Sequence, residues 1–179
     1  MKSIHLGPAI AAAALVIGLC RAPDASAVEE QTIRAFSPFE AEGQVLTTGP
    51  NEATYIGLLS GRLYIDTDQG PVDAGSMTCP IVLHIKLKDR TERGSGQCVI
   101  TGPAGNRAFL DFSCTGVPLV GCSGASTVTG GTGRFANATG GGTFVLRSSL
   151  HEFGAKANST VAVKTSGIIF WRELRYKIP

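Results

Sequence analysis

A glycine-rich segment contains the residues whose spacing comes nearest to a known chemical motif. Gly131, Gly133 and Ala136 fit the GxGxxA pattern of dinucleotide-binding loops. In such loops the glycines let the backbone approach a pyrophosphate, which the N-terminus of a following helix binds within a βαβ unit. Here the glycines at 140–142 would stop any helix within about two turns. The sequence therefore predicts a turn at this segment and no nucleotide cofactor.

The other patterns that could support catalysis or metal binding are incomplete. Asp66 and Asp68 resemble the start of a calcium-binding loop, but its fifth position does not fit and its twelfth lacks an acid. The sequence contains no nucleophile elbow, no zinc-protease motif and no Walker loop. His84 and His151 lie far apart along the chain. We therefore predict no metal site and assign no catalytic residue.

One extended segment presents a mixed set of side chains that could orient a small ligand. Arg107, Phe109 and Asp111 share one face of this segment. A charged pair beside an aromatic ring can hold the polar group of a small apolar molecule in a cavity. The alternative is that these three residues form the outer face, opposite Ala108 and Leu110, and bind nothing.

Cysteine usage points to disulfide bonds. Four of the five cysteines lie beyond the N-terminal apolar segment: Cys79, Cys98, Cys114 and Cys122. An even number in an exported chain favours disulfides, and the lack of a CxxC pair disfavours zinc. A turn near residues 88–92 predicts the pair Cys79–Cys98, and a short loop over residues 115–121 predicts Cys114–Cys122. The pair Cys98–Cys114, across the next hairpin, is the alternative.

The N-terminus has the features of a signal peptide. Lys2 supplies a positive charge, and residues 6–20 form an uncharged apolar run. Ala25 and Ala27 are the small residues that signal peptidase accepts before its cleavage site. We predict cleavage between Ala27 and Val28.

Removal of residues 1–27 leaves one domain over residues 28–179. The apolar run is too short for a comfortable membrane span, so we predict no stable membrane insertion. We expect an exported, soluble protein, either periplasmic or extracellular. Lipidation of Cys20 is a weaker alternative, because Leu19 stands where a lipoprotein has a small residue.

Composition excludes two classes of protein. Charged residues make up 17% of the chain and apolar residues 43%, which does not fit a disordered sequence. The net charge is only +2, and the densest basic cluster, residues 86–93, also holds Asp89 and Glu92. Binding to phosphates depends on several clustered cations. We therefore predict no nucleic-acid partner and interpret residues 86–93 as a solvated hairpin tip.

Apolar and polar residues alternate along most of the chain, as they do in β-strands. Glycine, proline, asparagine or aspartate bounds each of the extended segments, which are residues 33–48, 53–66, 81–87, 97–101, 107–114, 123–129, 142–149 and 160–174. The short connections require antiparallel pairing. The high glycine content (23 residues) and low charge favour a closed barrel over an open sheet. We predict an all-β, eight-stranded antiparallel barrel that disulfides cross-link.

Residues 130–140 form the pattern GGTGxFxxAxG between two predicted strands. This pattern and the segments around Cys114 and Cys122 resemble the allene oxide cyclase and dirigent barrel superfamily, including small exported bacterial proteins. The resemblance extends over residues 77–150 and implies an eight-stranded barrel with a central cavity. Its motif residues are interpreted as structural, allowing bends, plugging one barrel end and permitting close packing: Gly130, Gly131, Gly133, Phe135, Ala138 and Gly140.

Three functions fit these observations. The first is binding of a small apolar molecule in the barrel cavity, without catalysis. The second is an isomerase or cyclase like the enzymes of that superfamily, although their catalytic carboxylates lie outside the shared motif and match no stretch here. The third is a structural or interaction protein of the cell envelope, in an oligomeric state that the sequence leaves open. An inward-facing carboxylate or tyrosine with a shifted pKa would favour the second function over the first.

Overall fold

The computed structural model describes residues 29–149 and 160–179. Within these ranges the strands are β1 (Glu29–Gly49), β2 (Glu52–Thr67), β3 (Gly70–Lys86), β4 (Thr91–Thr101), β5 (Arg107–Val117), β6 (Gly121–Gly131), β7 (Thr139–Ser148) and β8 (Thr160–Ile178). Each strand pairs antiparallel with its neighbours in sequence, and β1 pairs with β8 to close a barrel. The predicted fold class is confirmed. The predicted cleavage site between Ala27 and Val28 lies outside the described residues, as does His151.

Helical structure in the described residues is confined to short 3-10 turns. They are Pro103–Gly105, between β4 and β5, and Gly133–Phe135, between β6 and β7. No helix in the described ranges has the length and apolar character to cross a bilayer.

Strand β3 is longer than the sequence predicts, because it begins at Gly70 rather than at residue 81. Two features of residues 70–80 explain why the sequence does not predict this part of the strand. Gly75 has a φ of +130° at a point where the β2–β3 register shifts, as in a β-bulge. Pro80 lies in a gap of the β3–β4 ladder between Thr78 and Ile81, where its missing N–H removes no ladder hydrogen bond.

Alternation along β4 decides which of its side chains enter the barrel. Glu92, Gly94 and Cys98 are buried, whereas Arg93 and Gln97 between them are exposed. The predicted solvated tip over residues 86–93 is therefore wrong at Glu92. The β3–β4 turn occupies residues 87–90, so Glu92 already belongs to the strand and lies on its inward face.

Large side chains fill the middle of the barrel interior. The Phe144 ring packs against the rings of Phe112 and Trp171, with centroids 5.7 and 6.1 Å apart. Trp171 Nε1 donates a buried hydrogen bond of 3.0 Å to Ser126 Oγ. Leu59 and Met77 belong to the same core cluster and are almost fully buried. This core separates two cavities, one near each end of the barrel.

Both predicted disulfides are confirmed. Cys79 and Cys98 join β3 to β4 with an S–S distance of 2.08 Å. Cys114 and Cys122 join β5 to β6 with an S–S distance of 2.11 Å, across the short connection between these strands. The alternative pair Cys98–Cys114 is excluded, since each of its members has another partner.

Candidate functional site

The first cavity lies at the barrel end where the β6–β7 connection folds inward, and we call it the Phe135 cavity. Its volume is about 90 Å³, and its lining is almost entirely aliphatic and aromatic, including Ile100, Leu110, Phe135 and Leu174. The Tyr176 hydroxyl also lies at this end and donates a hydrogen bond to Gln31 Oε1. The cavity therefore offers shape and apolar surface more than polar anchoring points.

The glycine-rich motif forms the turn that holds Phe135 at this end. Gly133 has a φ of +60°, and a Cβ added there would collide with Asn106 Oδ1. The same oxygen accepts a hydrogen bond of 3.3 Å from the backbone N–H of Arg134. Phe135 is partly buried against the core, and the Arg134 guanidinium lies 5.3 Å from its ring centroid. A three-residue 3-10 turn follows Gly131, so this segment has no helix to bind a pyrophosphate.

The remaining members of the motif also have backbone or packing roles. Gly130 and Gly140 have positive φ values of +139° and +147°. A Cβ at Gly131 would lie 2.6 Å from Phe135 Cβ. Ala138 is 1% exposed and also lines the Phe135 cavity.

The second cavity lies at the opposite end, and we call it the Tyr55 cavity. Its volume is about 40 Å³, and every strand of the barrel contributes to its lining. Most of the lining is apolar, with Ser148 and Thr165 adding hydroxyl groups. Tyr55 and Glu92 are the titratable residues among its described lining, since Cys114 and Cys122 are joined in a disulfide.

Tyr55 owes its position to two glycines. Gly43 on β1 pairs with Gly57 on β2, and a Cβ at either residue would lie within 2.7 Å of Tyr55 Cζ. The Tyr55 ring therefore lies flat against the wall where these side chains are missing. Tyr55 is 3% exposed, and its hydroxyl has no hydrogen-bond partner among the described residues. Burial raises the pKa of this hydroxyl, and the negative charge of Glu42 raises it further.

Glu92 is the second buried polar group of this cavity. It pairs with Ile85 on β3 and Gly116 on β5, neither of which offers a side-chain hydrogen bond. Glu92 is 6% exposed, and in the described part of the chain it forms neither an ion pair nor a hydrogen bond. Desolvation by burial raises the pKa of its carboxyl group.

The residues proposed from sequence as a ligand-binding face lie elsewhere. Arg107 and Asp111 are exposed on the outer wall of β5, and Asp111 accepts a hydrogen bond of 3.2 Å from Gln97 Nε2. Ala108 and Leu110, on the opposite face, line the Phe135 cavity. Arg107, Phe109 and Asp111 therefore cannot line the barrel interior, because side chains on a strand alternate between its two faces.

No sequence motif marks Tyr55 or Glu92 as a functional residue. A signal for Glu92 was present, because it lies an even number of residues before Cys98, whose disulfide must face a covered side of the sheet. For Tyr55 the signal was weaker. It shares a face with Gly57 and Leu59, but the partner glycine at 43 is identified only once β1 and β2 are in register.

Comparison with known proteins gives likenesses to solved structures. No protein-family model matches the chain, and no curated protein sequence matches it. Among solved structures, a pterocarpan synthase dirigent protein matches with 12% sequence identity and a TM-score of 0.41. That match covers 80% of this chain and 86% of the other. A likeness at this level establishes neither a family nor a function.

Proposed function

We propose that the protein is an exported barrel that binds a small, largely apolar molecule in the Tyr55 cavity. The observation that carries this proposal is the lining of that cavity, in which an apolar surface surrounds the Glu92 carboxyl, a buried group with no hydrogen-bond partner in the described residues. Leaving a buried polar group unpaired costs about 1–3 kcal/mol, and more for a charged one. A ligand that hydrogen-bonds to Glu92 would remove that cost, and its apolar part would contact the remaining lining. The two disulfides support export to an oxidising compartment.

The Phe135 cavity supports this function less well, although it is larger. Its lining has few polar groups that could orient a ligand, and the Tyr176 hydroxyl there already donates a hydrogen bond to Gln31. Specific small-molecule sites combine apolar surface with a few directed polar groups. The Tyr55 cavity has that combination.

An isomerase or cyclase is the second candidate, and the inward-facing Tyr55 and Glu92, whose pKa values are raised, are the observations that favour it. It ranks second because neither side chain has a hydrogen-bond partner in the described residues that would orient or activate it as an acid or base. A buried carboxyl whose pKa is raised by desolvation is a candidate general acid. The GGTGxFxxAxG segment supports kinship with the allene oxide cyclase and dirigent barrel superfamily, in which such chemistry occurs. Catalysis would require Glu92 to exchange a proton with the bound molecule. Binding alone requires no proton transfer. A structural role in the cell envelope requires neither buried group.

Native mass spectrometry of the exported protein tests the proposed function. We expect wild-type protein to carry a small-molecule adduct, and Glu92→Leu to lose most of it while remaining folded. Glu52→Leu is the matched control, because Glu52 is exposed at the start of β2 and lines neither cavity. A bare mass for all three proteins would contradict the proposal.

A further inference from the structure

Two neighbouring turns at the barrel end that holds the Tyr55 cavity combine exposed apolar side chains with a surplus of cations. They are the β3–β4 turn over residues 87–90 and the β5–β6 turn over residues 118–120, and we call them the hairpin tips. We propose that the hairpin tips bind the surface of an anionic lipid bilayer. In the bound state the apolar side chains lie among the lipid headgroups and the cations lie against the phosphates. This inference goes beyond the proposed function and does not depend on it.

Strand pairing places the hairpin tips side by side. Glu92 near the start of β4 lies opposite Gly116 near the end of β5, so the turns that flank these residues are neighbours. The Leu87 N–H donates a hydrogen bond of 2.8 Å to the Asn51 carbonyl oxygen, which joins the β3–β4 turn to the β1–β2 connection. The Cys114–Cys122 disulfide cross-links the strands on either side of the β5–β6 turn. The hairpin tips therefore form one connected surface.

The apolar part of this surface is unusually open to solvent. The large apolar side chains on or next to the turns are between 42% and 52% exposed, and they are Leu87, Val117, Leu119 and Val120. Leu119 also lines the Tyr55 cavity, but the other three do not, so the cavity does not account for them. Leu119 has a φ of +68°, a left-handed conformation that is unfavourable for leucine. Clustered exposed apolar residues mark sites of interaction with proteins or membranes.

The same surface is basic. The exposed cations on and beside the turns form no ion pair with any described residue, and they are Lys86, Lys88, Arg90, Arg93 and Arg147. Arg147 belongs here because it pairs with Gly121, directly after the β5–β6 turn. The exposed acids on the β3–β4 turn and opposite Lys86 are Asp89 and Glu52. Cations therefore outnumber acids around the hairpin tips.

This combination matches an anionic lipid surface better than the other possible occupants. Anionic headgroups attract Lys and Arg side chains, and aliphatic side chains gain free energy by leaving water for the headgroup region. A nucleic acid would engage the cations alone and leave the aliphatic side chains in water. A second copy of the chain, docked through the same tips, would bring like charges together, which disfavours that contact.

Flotation of the full exported protein with lipid vesicles tests the inference. One set of vesicles contains phosphatidylcholine alone, and in the other set half of the lipid is phosphatidylglycerol. We expect binding to the anionic vesicles to be about tenfold tighter or more, because several cations act together. Added salt should weaken that binding, since it screens exposed charges.

A matched pair of variants tests the apolar contact. Val120→Ser should reduce binding to the anionic vesicles about fivefold, because a side chain that enters the headgroup region loses its apolar atoms. Val72→Ser is the control, since Val72 is 54% exposed against 52% for Val120 and lies near the start of β3, at the other end of that strand from the β3–β4 turn. It should bind as wild type does.

A second pair of variants tests the cations at constant net charge. Lys88→Glu with Arg93→Glu should reduce binding at least about tenfold, since each cation near the surface contributes. Arg107→Glu with Arg172→Glu changes the net charge equally. These two residues are exposed, have no ion-pair partner in the described chain and lie at the start of β5 and on the wall of β8. This control should retain most of the binding.

Fluorescence reports whether the hairpin tips enter the bilayer. Val120→Trp should be quenched by brominated lipid in the anionic vesicles, whereas Val72→Trp should not. The native Trp171 is buried and gives the same background in both variants. Melting curves and the absence of free thiols confirm that every variant is folded.

Several outcomes would overturn the inference. Absence of vesicle binding, equal binding to the two lipid mixtures, or equal losses in the two charge-reversal variants would show that the hairpin tips do not recognise an anionic surface. Binding without quenching at position 120 would refute the apolar contact. A dimer in solution that Val120→Ser dissociates, without vesicle binding, would assign the surface to a second copy. Native mass spectrometry tests the cavity separately, so each of these results leaves the proposed function standing.

Discussion

Glu92 and Tyr55 are buried polar residues inside the barrel whose side chains are not hydrogen-bonded in the described chain. Both residues are more than nine-tenths buried. Buried polar groups are usually satisfied, so such exceptions call for an explanation. Polar groups with shifted pKa values that lie in a cavity are also more frequent at functional sites.

At the residue scale, we predict that Glu92 makes folding stability depend on pH. Its pKa is raised in the folded protein, so the folded state binds a proton more tightly than the unfolded state does. The contribution of Glu92 to stability should therefore be greatest below its unfolded pKa of about 4.3 and decline as pH rises through its folded pKa. Glu92→Gln should remove this contribution, so the free energy of unfolding of the variant relative to wild type should be higher at pH 8 than at pH 4.

Urea unfolding between pH 4 and pH 8 measures this dependence. The exposed Glu52→Gln serves as control and should follow the wild-type curve. If Glu92→Gln and wild type keep a constant difference across the range, the pKa of Glu92 is the same in the folded and unfolded states, and the assigned pKa direction is wrong.

At the element scale, the turn Gly133–Phe135 depends on both the φ of Gly133 and its contact with Asn106. We predict that Gly133→Ala destabilises the protein by about 2 kcal/mol or more, because the left-handed conformation costs about 1–2 kcal/mol and the added Cβ meets Asn106 Oδ1. Gly105→Ala is the matched control, with a φ of +76° and no atom within 4 Å of the added Cβ. Gly105→Ala should be destabilised only by the left-handed backbone conformation.

Thermal or urea unfolding of both variants gives the comparison. Equal losses would mean that Asn106 moves aside without cost and does not fix the turn. A nucleotide-dependent rise in the melting temperature of wild type that Gly133→Ala abolishes would instead revive the dinucleotide-binding interpretation of this segment.

At the scale of the whole molecule, we predict that the exported chain starts at Val28 and has no free thiol. Four cysteines then form the two disulfides, and Cys20 leaves with the signal peptide. Thiol titration under denaturing, non-reducing conditions, together with the intact mass, tests this. One free thiol and a mass that includes residues 1–27 would show that cleavage fails, whereas four or more free thiols would exclude the disulfides in solution.

The barrel can be predicted from the amino-acid sequence, and so can its two disulfides, although the alternative pair Cys98–Cys114 stays open until the structure is known. Alternating segments with short connections require antiparallel neighbours, and disulfides between adjacent strands depend on local hairpin geometry, as Cys79–Cys98 and Cys114–Cys122 show. Glycine and proline punctuation located most strand ends. It did not predict that β3 continues through Gly75 and Pro80, residue types that usually end a strand. A bulge at Gly75 and a gap in the ladder at Pro80 accommodate them.

Which residues meet inside the barrel depends on the three-dimensional fold. Period-2 alternation separates two faces of a strand, but for a mixed segment such as residues 107–113 it does not say which face is inward. Closure of β1 on β8 and the central core around Phe144 settle that choice, because all eight strands must place one face in a shared interior. Tyr55 and Glu92, on β2 and β4, line the same cavity because of the strand register around the barrel, which no local sequence pattern encodes.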